Sequence, residues 1–198
     1  MIFLPALFTA FLSAMMVENL LFARAIDIPG LYEKRTPGQI LGIGSFLTVI
    51  NCISAIPAFL LNGVFRSRTF FVPFMTLGFL LINAAVFLLC YFAMQKLMPA
   101  HFASIRKALP FYGVNCVTLG TLLIAARMSS STHFSSFLGY SLGSGVGFTC
   151  AMRVLWAIRQ KLALTHTPKT FRGLPITFIY LGIVSLALFG LRGNQLPA

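Results

Sequence analysis

The chain has 198 residues, 58% hydrophobic and only 9% charged, with a mean hydropathy of +0.90. A soluble domain carries about 45–50% apolar and about 25% charged residues, so an ordinary soluble domain, a disordered chain and a disulfide-rich secreted module are all excluded. Lys and Arg number 15 against 3 Asp and Glu, a net charge of +12, but the cations lie between apolar runs and the aromatics within them, which excludes a nucleic-acid surface and indicates a polytopic membrane protein.

Six apolar runs are long enough to cross about 30 Å of hydrocarbon. They are continuous rather than alternating, so they are helices and not barrel strands. The first spans about Ile2 to Ala23. It has no basic flank and no small-residue cleavage site, so it reads as a retained span and not a signal peptide. It holds Glu18, the only acid inside an apolar run, beside Asn19. An intramembrane carboxylate is costly unless paired or protonated, which makes Glu18 a functional candidate. The competing reading is a residue near the interface that pairs with a neighbouring cation; Arg24 follows within two turns.

The second run, about Gly38 to Leu61, contains Gly38, Gly42 and Gly44. The third covers about Phe70 to Leu97 and has Pro73 near its start. The fourth, about Ala108 to Ala126, contains Asn115 and Cys116, bracketed by Pro110, Gly113 and Gly120. Such a bracket breaks a membrane helix, and irregular backbone at depth requires protein around it or a cavity beside it. A thiolate there suits iron or another soft metal. The fifth, about Phe134 to Ile158, carries Gly139, Gly143, Gly145 and Gly147, with Arg153 placed to snorkel toward its nearer interface. The sixth runs from about Leu174 to Leu191, with Pro175 near its start.

The basic residues give an orientation. The loops after spans one, three and five hold ten cations, and the other side holds four. Odd loops are therefore expected in the cytoplasm and both termini outside.

The same residues suggest duplication. Gly38-Gly42-Gly44 and Gly139-Gly143-Gly145 share one GxxxGxG spacing at an offset of 101 residues. Pro73 and Pro175 are 102 apart, and Asn19 and Asn115 are 96 apart. Three spans per unit is odd, so the second copy must be inverted. The expected fold is an all-α integral membrane protein of six transmembrane helices, an inverted 3+3 repeat with broken helices, in a single membrane domain with repeats of about 1–97 and 98–198. The alternative is that Gly and Pro are simply frequent in membrane helices. Gly38, Gly42, Gly139, Gly143 and Gly147 are read as helix contacts, because small residues let backbones approach closely in lipid; a ligand approach is the lesser reading. Cys52, Cys90 and Cys150 read as apolar filler. His101, His133 and His166 read as solvated residues in loops or flanks. No Gly-rich strand–helix fingerprint is present, so the chain is not expected to bind NADH or flavin itself.

Three stretches carry a family resemblance: Leu-Pro-Phe-Tyr-Gly-Val-Asn-Cys-Val-Thr-Leu-Gly at 109–120, the Gly-rich fifth span with Gly-Val-Gly-Phe at 145–148 and Ala-Ile-Arg-Gln-Lys-Leu at 157–162, and Phe-Arg-Gly-Leu-Pro-Ile-Thr-Phe-Ile-Tyr-Leu-Gly at 171–182 with its continuation to Gly190. The chain resembles the Rnf/Nqr membrane subunits, in particular the A-type subunit of Rnf complexes and the E-type subunit of the Na+-translocating NADH:quinone reductase. Val17-Glu18-Asn19 stands where that family tends to have Val-Asn-Asn.

The resemblance implies a homologous membrane partner of opposite topology, other complex subunits, and a bacterial inner membrane. It also implies a [2Fe-2S] cluster held within the membrane, to which each member of the pair gives two Cys, with ion translocation coupled to the redox reaction. Cys116 matches one of those positions. The other, typically Gly-Leu-Cys-Pro, is Ile26-Asp27-Ile28-Pro29-Gly30 here, and Asp27 is an unusual cluster ligand. On this reading the chain forms part of an intramembrane electron and ion path, with Glu18, Asn19 and Asn115 lining the broken-helix centre. The alternative is a redox-inactive paralogue acting as a secondary transporter, with Glu18 as the coupling carboxylate. A third reading is a protein that serves assembly alone.

Overall fold

A computed structural model describes residues 3–26, 36–65, 72–97, 116–128, 133–164 and 173–191, together with 99, 102 and 106. The described chain is all helical. Helix α1 is Phe3–Leu12 and continues as a π-helical segment, Ser13–Val17. The others are α2 (Pro37–Phe65), α3 (Val72–Leu97), α4 (Cys116–Arg127), α5 (Phe134–Leu164) and α6 (Leu174–Leu191). Helices α2, α3 and α5 are long and apolar enough to cross a membrane; α1 with its π-helical end, the described part of α4, and α6 are shorter.

Local chemistry sets several ends. Thr36 Oγ1 accepts from the Gln39 amide at 3.4 Å, and Gln39 Oε1 accepts from the Thr36 amide at 3.2 Å. This is a capping box with Pro37 at the first helical position, where a missing N–H costs nothing. Pro175 sits in the first turn of α6 for the same reason.

Helix α5 is the hub, packed mainly on α2 and α1. A Cβ at Gly139 or Gly143 would collide with the carbonyl oxygens of Leu7 and Phe11, and one at Gly147 would lie 2.8 Å from that of Met15. The stripe therefore lets α1 lie directly on α5. Gly42 is buried in α2, whereas a Cβ at Gly38 would meet nothing within 4 Å, so Gly38 is not at a close helix approach.

The contact between α2 and α5 is reciprocal. A Cβ on Gly44 would strike the Thr149 side chain, and one on Gly145 would lie 2.6 Å from Thr48 Oγ1. Each threonine hydroxyl donates at 2.8 Å to the glycine carbonyl four residues before it, Thr48 to Gly44 and Thr149 to Gly145. The two glycines are 101 residues apart, and so are the two threonines. The two helices run in opposite directions, and Phe59 stacks edge-on with Phe134 and Phe137 at 5.4 and 5.8 Å further along. This is an inverted repeat seen at its own interface.

Two apolar cores lie end to end. One gathers Leu20–Phe22, Ile43, Phe46, Leu47, Ile50, Phe87, Val117, Phe148 and Leu155. The other gathers Ala14, Ala55, Ala58, Phe79, Leu122, Phe137 and Tyr140. Between them, every packed helix turns polar at the same level, with Asn51 and Ser54 on α2, Asn83 on α3, Thr118 and Thr121 on α4, and Ser141 and Ser144 on α5, all buried. The outward faces of α3 and α6 (Leu77, Leu81, Leu88, Ile183, Leu186) are exposed apolar surface suited to acyl chains.

Gly143→Ala is expected to cost about 1–3 kcal/mol through overpacking against α1. Gly38→Ala should be neutral or stabilising, by up to about 1 kcal/mol of helix propensity. Unfolding midpoints of the two variants in lipid nanodiscs check the contrast.

Candidate functional site at the broken spans

By hydropathy the first apolar run extends to Ala23. The helix instead stops at Val17. Its last five residues widen to π geometry, and Glu18 N–H donates back to Ser13 O at 2.8 Å. Such π segments cluster at functional positions. The reason for the stop is Asn19. Its Oδ1 accepts from the Leu21 and Phe22 amides at 3.1 and 3.4 Å, so its side chain starts a new turn in place of the helix ladder. Its Nδ2 donates to Met15 O at 3.0 Å and, across to α5, to Gly147 O at 2.9 Å. One side chain thus closes the end of α1, opens the next turn and ties both to the hub. Residues 20–24 make a single turn, ended by Ala25 in the left-handed region at φ 52°. Ile26 N–H donates to Leu20 O at 3.0 Å. Ser185 Oγ of α6 donates to Phe22 O at 2.6 Å and holds the turn from the other side.

Glu18 is buried at the break, with 7% of its surface exposed. Its Oε2 lies 2.7 Å from Arg24 Nη2, and the Arg24 side chain is 45% exposed. The structure therefore gives Glu18 a cation from its own turn. The pair is neutral overall, and the guanidinium occupies the place where a translocated cation would meet this carboxylate.

The described part of α4 starts at Cys116, two residues before the buried Thr118 of the polar layer. The fourth apolar run starts at about Ala108; Asn115 and the rest of 107–115 lie outside the described residues, as does Asp27. Cys116 is exposed, Cys150 exposed, Cys52 half-buried and Cys90 buried. Among the described residues no three His, Cys, Asp or Glu side chains gather where they could hold a metal ion.

The polar layer beside the break carries no motif that marks it in the sequence. Asn51 Nδ2 donates to Thr121 Oγ1 at 3.4 Å and to Ser144 Oγ at 3.3 Å. These two hydroxyls lie 2.9 Å apart. Asn83 Nδ2 donates to Thr118 Oγ1 at 2.7 Å. Side chains of α2, α3, α4 and α5 are cross-linked in this way at one depth, and Ser144 lies one turn from Gly147, the acceptor of Asn19. One sequence signal is positional: Asn51 and Asn83 each sit near the middle of an apolar span.

Asn19→Leu should destabilise the protein by about 2–4 kcal/mol, because it strands buried backbone N–H groups. Leaving a buried carboxylate without its cation costs more than removing both groups, so Arg24→Gln should be less stable than the Glu18→Gln/Arg24→Gln double variant. Unfolding in nanodiscs at neutral pH measures both effects; a double variant less stable than the single would show that the ion pair is not what holds Glu18.

Residues 7–194 match the Rnf-Nqr subunit, membrane protein family. Among curated proteins, the chain is similar to the A subunit of the ion-translocating oxidoreductase complex of Aromatoleum aromaticum, 29% identical over 184 residues, covering 92% of this chain and 94% of that protein. It is also similar to the A subunits of the same complex in Serratia proteamaculans, at 27% over 184 residues, and Sodalis glossinidius, at 29% over 185, with the same coverage. The match runs through the interrupted first span, α4 and the α2–α5 interface alike. The chain belongs to the Rnf-Nqr family of membrane subunits.

Proposed function

We propose that this chain is the A-like membrane subunit of an ion-translocating oxidoreductase complex, and that with a homologous partner of opposite topology it builds the intramembrane path of that complex. The observation that carries the reading is the interrupted first span. Helix α1 and its π-helical end stop at Val17, beside a buried polar layer. Interrupted helices at mid-depth are how membrane proteins bring polar backbone to an ion or a centre in the bilayer. The full-length similarity to A subunits of ion-translocating oxidoreductase complexes supports membership of such a complex.

Cys116 is the exposed thiol at the start of the described part of α4. A cluster that draws two thiolates from each of two homologous chains does not fit the donors described here, which supply one at that position. No electron step is therefore placed on this chain. Its own residues do the structural part: Asn19 holds the break open, the layer from Asn51 to Ser144 gives the path its polar wall, and the Glu18–Arg24 pair keeps the break electrically neutral. The single thiol favours, as a second reading, a redox-inactive paralogue that transports without electron transfer. The ion pair weighs against Glu18 as that transporter's free cation site.

The localisation proposed is the bacterial inner membrane. Ten cations on the odd loops against four place those loops in the cytoplasm and both termini outside.

Tagged protein, extracted gently from its native membrane, is expected to bring down a homologous six-span partner and redox subunits; recovery alone would contradict the complex. Iron and acid-labile sulfide on that preparation are expected not to change in Cys116→Ala. Stoichiometric iron lost in that variant would show a second ligand replacing the missing thiol and would restore the electron path. An impermeant label on intact cells should reach tags at both termini.

A further inference from the structure

We propose that a water molecule is bound within the polar layer, donating to Asn51 Oδ1 and bridging to Ser54 Oγ on the next turn of α2. Asn51 is fully buried, and both hydrogens of its amide are spent on Thr121 and Ser144. Its Oδ1 has no donor. A carbonyl oxygen only accepts, so no rotation of its own satisfies it. The hydroxyls beside it have acceptors of their own: Thr121 donates to Val117 O at 2.8 Å, and Ser144 to Ser141 O at 3.1 Å. Ser54 is 1% exposed, and its hydroxyl also lacks a partner. Three residues apart on a helix, Asn51 and Ser54 share a face.

The register with α5 brings a third such group to the same level. Helices α2 and α5 run oppositely, with Gly44 against Thr149, Thr48 against Gly145 and Asn51 against Ser144. One turn further along α2 is Ser54; one turn back along α5 is Tyr140, fully buried, with its hydroxyl likewise unpartnered. Small side chains, Ala55 and Ala58 on α2 and Ala125 on α4, occupy the next turns of the core that Tyr140 joins. In the hydrocarbon zone no bulk solvent reaches such groups, and a bound water that makes two to four hydrogen bonds is the species that serves an obligate acceptor and two hydroxyls together. The neighbouring groups are neutral oxygens, and the one described ion pair at the break, Glu18–Arg24, is balanced. A neutral occupant leaves no uncompensated charge buried in the layer. Bound there, it extends the hydrogen-bonded thread that starts at Asn19 and Gly147 into the middle of the helix bundle. This inference does not depend on any redox role.

The test uses the full chain in nanodiscs. Ser54→Ala, a mild deletion that leaves packing intact, is expected to lower the unfolding midpoint by about 2–4 °C, and to have no effect in an Asn51→Leu background, where the bridge has already lost its acceptor. A high-resolution structure should show density about 3 Å from Asn51 Oδ1 and Ser54 Oγ. A neutral or stabilising Ser54→Ala, with no such density, would overturn the proposal. So would a midpoint that rises in sodium relative to choline for the wild-type chain and not for Asn51→Leu, since the occupant would then be a cation.

Discussion

A membrane span that stops halfway leaves backbone donors and acceptors in hydrocarbon, and each must be met from inside the protein. That constraint governs this molecule. Asn19 meets it at the end of α1 with four hydrogen bonds, two to the turn ahead, one to Met15 and one to Gly147. The arrangement works only because α1 lies against a stripe without side chains. A Cβ on Gly147 would lie 3.1 Å from the Asn19 amide nitrogen and push it off its acceptor. Glycine spacing on α5 and the break in α1 are thus two halves of one device.

The second half of the architecture follows from the inverted repeat. Gly44 receives Thr149 and Gly145 receives Thr48, so the same short sequence acts once as groove and once as ridge. This fixes the register of α2 against α5. The register in turn sets Asn51 against Ser144, and α4 adds Thr121 to the pair. A polar layer of this kind is costly in a bilayer unless its members satisfy one another. Here it divides two apolar cores at the level where the first span is interrupted. An ion path through the bundle needs polar groups at that depth, and the fold supplies them together.

Much of this is legible in the sequence. The run lengths indicate six helices, and the long ones agree closely: a second span of about 38–61 is Pro37–Phe65, and a sixth of about 174–191 is Leu174–Leu191. The GxxxGxG motif locates the α1–α5 contact, although Gly38 belongs to the motif without making a close approach. Hydropathy alone hides the stop at Val17, because Leu20 to Ala23 are as apolar as a helix interior. The burial of Leu20, Leu21 and Phe22 in a turn depends on Asn19 finding Gly147, 128 residues away. The polar layer is hidden for the same reason. One Asn or Thr in an apolar span carries no pattern by itself; it becomes a layer only when the helices are placed in register. The Thr48–Thr149 repeat, four residues past each glycine motif, is the sequence feature that exposes that register.

Depth is the property that joins the break in the first span, the polar layer and the proposed path. Cys116 offers a direct probe, since it is exposed and stands two residues before Thr118 of the polar layer. With Cys52, Cys90 and Cys150 replaced by Ala, a spin label on Cys116 can be placed along the bilayer normal by its relative accessibility to oxygen and to a water-soluble relaxant. The expected result is a position near the bilayer midplane, matched by a label on an Asn19→Cys variant in the same background. A Cys116 label at headgroup depth would contradict the account, because the polar layer would then lie at the membrane surface and not within the bilayer.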